Sequence, residues 1–148
     1  MNKITSSNNC IPDAVPLKSQ IHFITTLDWT IYHCLLDNNE SPVTSDVIIT
    51  EKQLSHIRER HPETYHDTIA YLYDILNDPD YIIRDKRPST GLVIKRILFK
   101  SKYMLLVLRL CTAKDSLHYK NSVITSWEIS DSRLTNYLKN KEIIYKKE

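Results

Sequence analysis

The chain has 148 residues, 41% of them hydrophobic and 26% charged, which is the size of one domain and the make-up of a globular one. Gly91 is its single glycine. That excludes a phosphate-cradling glycine loop and a dinucleotide fingerprint, each of which needs several glycines at fixed spacing.

The net charge of +2 hides a division, because residues 1–83 sum to −7 and residues 84–148 to +9. Such asymmetry points to an anionic partner such as nucleic acid, or to two halves that neutralise each other across one surface. No apolar run approaches the roughly 18 residues of a membrane span. The polar start MNKITSSNN lacks a signal peptide's apolar segment, so the expectation is a cytoplasmic protein with no membrane partner. Cys10, Cys34 and Cys111 are odd in number and far apart, which reads as three reduced thiols. There is no Cys-x-x-Cys, and His33 and Cys34 are adjacent rather than spaced for chelation. No metal and no other cofactor is therefore expected.

In chain order, residues 1–17 carry Pro12 and Pro16 and read as a loose arm. The run QIHFITTLDWTIYHCLL is rich in β-branched and aromatic residues, which predicts two short strands around 21–25 and 29–33. Residues 37–46, DNNESPVTSD, are a loop. Together, residues 1–46 form an N-terminal arm and β-rich extension of no assigned role, ahead of a unit at 47–148. Thr50-Glu51-Lys52-Gln53 is a capping box. It opens a helix with Leu54, Ile57 and His61 on one side, stopped at Pro62. Tyr65, Ile69, Leu72 and Leu76 repeat at helical spacing in a second helix, ended by Asn77-Asp78-Pro79.

After Pro79 the apolar runs shorten. Segments 81–83, 92–99, 104–111 and 122–127 read as four consecutive strands of an antiparallel meander, with the helix pair covering one face. The fold class is therefore α+β. Ser130 caps a last helix carrying Leu134 and Leu138, and 143–145 is a candidate closing strand.

The segment HIRERHPE places two His and two Arg within eight positions. On a helical wheel His56 and Arg60 lie about 40° apart and share a face, whereas His61 falls with Leu54 and Ile57 toward the sheet. Imidazole is the side chain that ordinarily titrates near neutrality, although a single helix-end His is as well explained by local packing. Lys95 and Arg109 sit inside apolar strands, either on a solvent face or as anion ligands. Strict alternation puts Ser122, Ile124 and Ser126 on one face of their strand and Val123, Thr125 and Trp127 on the other. Thr125 is then a β-former or a hydroxyl beside a phosphate. Tyr103 and Tyr119 are candidates for stacking on bases, with packing as the ordinary role of tyrosine.

HIRERHPE, NDPDYIIRD, LVIKRI, LLVLRL, NSVITSWEIS and the terminal YLKNKEIIYKK resemble the phage-associated branch of the barnase–EndoU–colicin–RelE-like (BECR) nuclease superfamily. The resemblance spans about residues 47–148. It implies N-terminal helices packed on a four-stranded antiparallel meander, here with the β-rich N-terminal extension and the C-terminal helix. It also implies metal-independent RNA cleavage, in which a ribose 2′-hydroxyl attacks its own phosphate and leaves a 2′,3′-cyclic phosphate. Such chemistry needs a base, an acid, and cations or donors for the charge on the phosphorane. By motif, His56 and His61 are the acid–base candidates, with Glu63 as an outside candidate for the base. Arg60, Lys95 and Arg109 are the phosphate-stabilising candidates. Thr125 is a hydroxyl donor, and Asn121 or Ser126 a positioning group. The implied partners are RNA, tRNA included, and a cognate inhibitor or immunity protein of a toxin or phage effector. Two alternatives stay open: a domain that binds nucleic acid without cutting it, and a protein-interaction module of a mobile element.

Overall fold

A computed structural model describes residues 20–97 and 102–148. The arm at 1–17, Cys10 and the 98–99 end of the second meander strand lie outside the described residues. The sheet has seven strands: β1 (Ile21–Thr26), β2 (Asp46–Thr50), β3 (Tyr81–Arg84), β4 (Thr90–Ile97), β5 (Lys102–Arg109), β6 (Asn121–Ile129) and β7 (Ile143–Lys146). Their order is β1-β2-β6-β5-β4-β3-β7. The four meander strands stand side by side, but the sheet is larger than the four strands expected, and it is mixed. β2 joins β6 in parallel through Val47–Asn121 and Ile48–Ser122, and β7 adds antiparallel to β3.

The four helices of the described residues are α1 (Trp29–Tyr32), α2 (Glu51–Arg60), α3 (Tyr65–Asn77) and α4 (Asp131–Asn140). The strand expected at 29–33 is a correction: that segment is α1 running into a 3₁₀ turn at His33–Leu35. Asp28 caps it, accepting from the Thr30 backbone N–H at 3.0 Å and the Thr30 hydroxyl at 2.6 Å. The local cap outweighs the β-propensity of the run. The turn drops Tyr32 and Leu35 into the core, where the Tyr32 hydroxyl donates to the Leu76 carbonyl at 2.6 Å. Leu35 also accounts for the lone glycine. A Cβ on Gly91 would stand 2.7 Å from Leu35 Cδ2, so a larger residue would have to push that buried side chain aside where the turn crosses β4.

The capping box is present, with Gln53 N–H donating to Thr50 Oγ1 at 3.2 Å and Thr50 N–H to Gln53 Oε1 at 2.9 Å. α2 ends at Arg60, before Pro62, and α3 ends just before Asp78-Pro79. Ile57, Leu72, Ile75 and Leu76 meet Val93, Leu106, Leu108 and Val123 on the first face of the sheet. α4, capped by Ser130, covers part of the second face. There Leu134 joins Leu92, Ile94, Leu105, Val107 and Ile129. Burial from both sides explains why LLVLRL is almost continuously apolar. No helix among the described residues is long and apolar enough to cross a membrane.

Candidate active site

α2 lies along β6, beyond the short stretch where β2 pairs with that strand. Lys52, His56 and Arg60 repeat at i, i+4 and i+8, so they form one exposed ridge on the flank of the helix beside the buried Ile57. On the opposite wall, β6 departs from strict alternation. Val107 faces Thr125 while Leu108 faces Val123, so one extra residue bulges at Ile124. The alternation expected from sequence is thereby corrected. Ser122 and Thr125 fall on the same side as Arg109 and Val107, whereas Val123 and Ser126 turn into the first-face core. The result is a hollow of about 480 Å³ lined by Lys52, Gln53, His56, Arg60, Arg87 and Thr125. An adjoining hollow of about 460 Å³ shares Arg87 and Ile124 with it and adds Arg109 and Lys114 together with the acidic Asp37, Glu40 and Asp115. The two make one groove.

Two of the groove's cations are paired with carboxylates, and one of these, Asp115, itself lines the second hollow. Arg87 donates through Nε to Asp85 Oδ2 at 2.7 Å and through its backbone N–H at 3.1 Å. Burial alone would raise the Asp85 carboxyl, but these bonds outweigh it and hold its pKa below the ordinary value. Arg109 donates through Nη2 to Asp115 Oδ1 at 2.9 Å. That bond lowers the Asp115 carboxyl and, first among several causes, raises the guanidinium.

The other sequence candidates lie elsewhere. His61 is the C-cap of α2 and lines a separate hollow with Glu63, Lys102 and Glu128. Lys95 donates to the Asp78 carboxylate and carbonyl, both at 2.9 Å, toward the far end of the sheet. Asn121 and Ser126 are buried in backbone bonds. Asn121 accepts from Cys111 N–H and donates to the Thr44 carbonyl, both at 2.8 Å, and the Ser126 hydroxyl donates to the Leu105 carbonyl at 2.7 Å. The structure thus brings together His56, Arg60 and Thr125, with Arg109 next to them, and does not bring His61 or Lys95 to the same place.

Residues 37–146 match the model of a family described as phage-Barnase-EndoU-ColicinE5/D-RelE like nuclease2. The match takes in both walls of the groove and three-quarters of the chain. The chain belongs to that nuclease family. No curated protein and no solved structure matches it.

In this phage-Barnase-EndoU-ColicinE5/D-RelE like nuclease, the first hollow also brings in Lys52, Gln53 and Arg87, which the sequence does not single out for chemistry. Lys52 was legible as the residue one helical turn before His56. Gln53 reads in the sequence only as a cap. Arg87 sits in the β3–β4 loop, and no periodicity could have directed it at β6. No cluster of His, Cys, Asp and Glu able to hold a metal occurs among the described residues.

Proposed function

We propose that the groove between α2 and β6 is the active site of a metal-independent ribonuclease. The observation that carries this is the meeting of an imidazole, a ridge of cations and an unusually placed hydroxyl in one hollow. Among the residues lining it, only His56 and Lys52 belong to types that exchange protons in a usable range, since guanidinium stays charged. His56 takes the proton of the ribose 2′-hydroxyl as that oxygen attacks phosphorus. The bond to the 5′ oxygen breaks, and Lys52 supplies the proton on which the 5′ oxygen leaves. Arg60 and Arg87 hold the non-bridging oxygens as charge builds on the phosphorane, and Thr125 donates a hydrogen bond to the same centre. Arg109 binds the neighbouring phosphate. His61 and Lys95 take no step in this scheme, because each faces a different hollow.

The reading places the catalytic unit at 47–148, with 1–46 as an extension, and takes RNA, tRNA included, as substrate. It suits a toxin or phage effector whose partner is a cognate inhibitor. The test is product analysis in EDTA. RNA should yield 2′,3′-cyclic phosphate and 5′-hydroxyl ends, and the same sequence with 2′-deoxyribose should stay whole. Ends bearing 5′-phosphate, or cutting of the deoxy strand, would overturn the mechanism. RNA that binds but is never cut would make the groove a binding site only.

A further inference from the structure

The β5–β6 connection, residues 110–120, rises at the Arg109 end of the groove and carries a feature the cleavage chemistry does not use. Leu117 is 97% exposed and Tyr119 is 56% exposed. A loop tip ordinarily presents small polar residues, and large apolar groups held in water there need a reason. The loop is held by one carboxylate. Asp115 accepts from Thr112 N–H at 2.8 Å and from Arg109 at 2.9 Å, and its own N–H donates to the Thr112 carbonyl at 3.0 Å. The next turn is closed by Tyr119 N–H donating to the Ser116 carbonyl at 3.1 Å, and the Cys111 thiol reaches the Tyr119 carbonyl at 3.4 Å. Tyr119 is therefore an exposed ring on an anchored backbone. Its carbonyl stands against Cys111, two residues beyond Arg109, in the same loop whose Asp115 holds that guanidinium. Lys114 and Lys120 flank the ring in sequence, and Lys120 reaches Asp46 at 3.2 Å.

An exposed aromatic ring beside a cation is the arrangement that reads single-stranded nucleic acid. The cation takes a phosphate, and the ring takes the face of the base attached to it. We propose that Tyr119 is the stacking platform for an unpaired base adjoining the phosphate held at Arg109, which makes single-stranded RNA, or a loop of a folded RNA, the substrate class. Bases within a duplex have both faces occupied, so the platform selects against them. This rests on the ribonuclease reading above and gives it a specificity determinant. Tyr119 takes no part in proton transfer and acts on binding.

The experiment measures binding without cleavage. The full chain and its Tyr119→Ala, Tyr119→Leu, Tyr119→Phe and Tyr119→Trp variants are titrated by fluorescence anisotropy against a labelled single-stranded DNA, which keeps bases and phosphates but lacks the 2′-hydroxyl. The matching duplex is titrated in parallel. Loss of one base–aromatic stack should weaken single-strand binding about 5- to 100-fold in Tyr119→Ala and Tyr119→Leu. Phe and Trp should hold it within about threefold, with duplex binding little changed in all four. The Leu variant keeps apolar bulk, so its loss separates stacking from loop packing. Equal single-strand affinity of parent and Tyr119→Ala would overturn the proposal, as would equal weakening on both strands and duplex. If the parent binds no single strand but still cuts RNA, the platform falls and the ribonuclease reading stands. If it does neither, both fall.

Discussion

Thr125 depends for its place on the bulge at Ile124, since regular pairing after Val123 would displace every later side chain of β6 to the opposite face. A hydroxyl delivered by a bulge is a positioned group, and Thr125→Val tests it with shape preserved. The rate should fall about 10²- to 10³-fold, as for loss of one donor to transition-state oxygens, while the melting temperature holds. Gly91 illustrates the opposite case, a residue required by what surrounds it. Gly91→Ala should destabilise by about 1–3 kcal/mol as an overpacked core position. In a double-mutant cycle with Leu35→Ala the two losses should fail to add, because the smaller Leu35 position removes the obstruction. Denaturant midpoints of the four proteins read this directly. At this scale sequence gave the helical ridge of His56 and Arg60, since a wheel needs only local geometry. It could not give Arg87, whose place depends on a loop crossing toward another strand.

α3 is the element most clearly written in the sequence. Its apolar repeat, with Leu72 and Leu76 buried and Tyr65 and Ile69 half-buried, packs where expected against the first face. Leu72→Ala should destabilise by about 2–5 kcal/mol as a cavity in a packed core, and a thermal midpoint unchanged by it would contradict the helix-on-sheet arrangement. The β5–β6 loop carries a pH dependence of known sign. The folded Asp115 carboxyl sits below its ordinary value near 3.9, chiefly through Arg109. Its contribution is therefore complete above about pH 4 and disappears as pH falls through the lowered folded value. Asp115→Asn should flatten the acid limb of a urea-midpoint profile while changing its neutral end by a constant. The elements that escaped sequence reading were α1 and β2. α1 is one turn decided by the Asp28 cap and by burial of Tyr32, and β2 is a short strand whose partner β6 lies more than seventy residues away. Neither dependence leaves a local period.

Across the whole molecule, the +9 half does not gather into one patch. Arg87, Arg109 and Lys114 line the groove together with Lys52 and Arg60 from the acidic half. Lys95 and Lys147 instead converge on Asp78 at the other end, holding the tail to the sheet and the Asp78 carboxyl below its ordinary range. Charge reversal at Arg60 or Arg87 should weaken RNA binding and flatten its salt dependence, each lost phosphate contact removing about 0.7 from the log–log slope on single strands. Reversal at Lys146 should leave both nearly unchanged. The charge division in the sequence thus pointed to the right class of partner, yet the groove draws its cations from both halves because the sheet brings α2 against β6.

The central claim, that the α2–β6 groove performs the cleavage, is tested most directly by one side-by-side rate measurement. The parent, His56→Ala, His61→Ala and His66→Ala are compared on one RNA in EDTA. His66 is exposed on α3, where its ring meets only Tyr65 edge-on among the described aromatic contacts. The groove predicts a loss of about 10²- to 10⁴-fold for His56→Ala, the range for removing one acid or base, with His61→Ala and His66→Ala close to the parent. A His56→Ala protein that cleaves at the parent's rate, or a collapse of activity confined to His61→Ala, would contradict it.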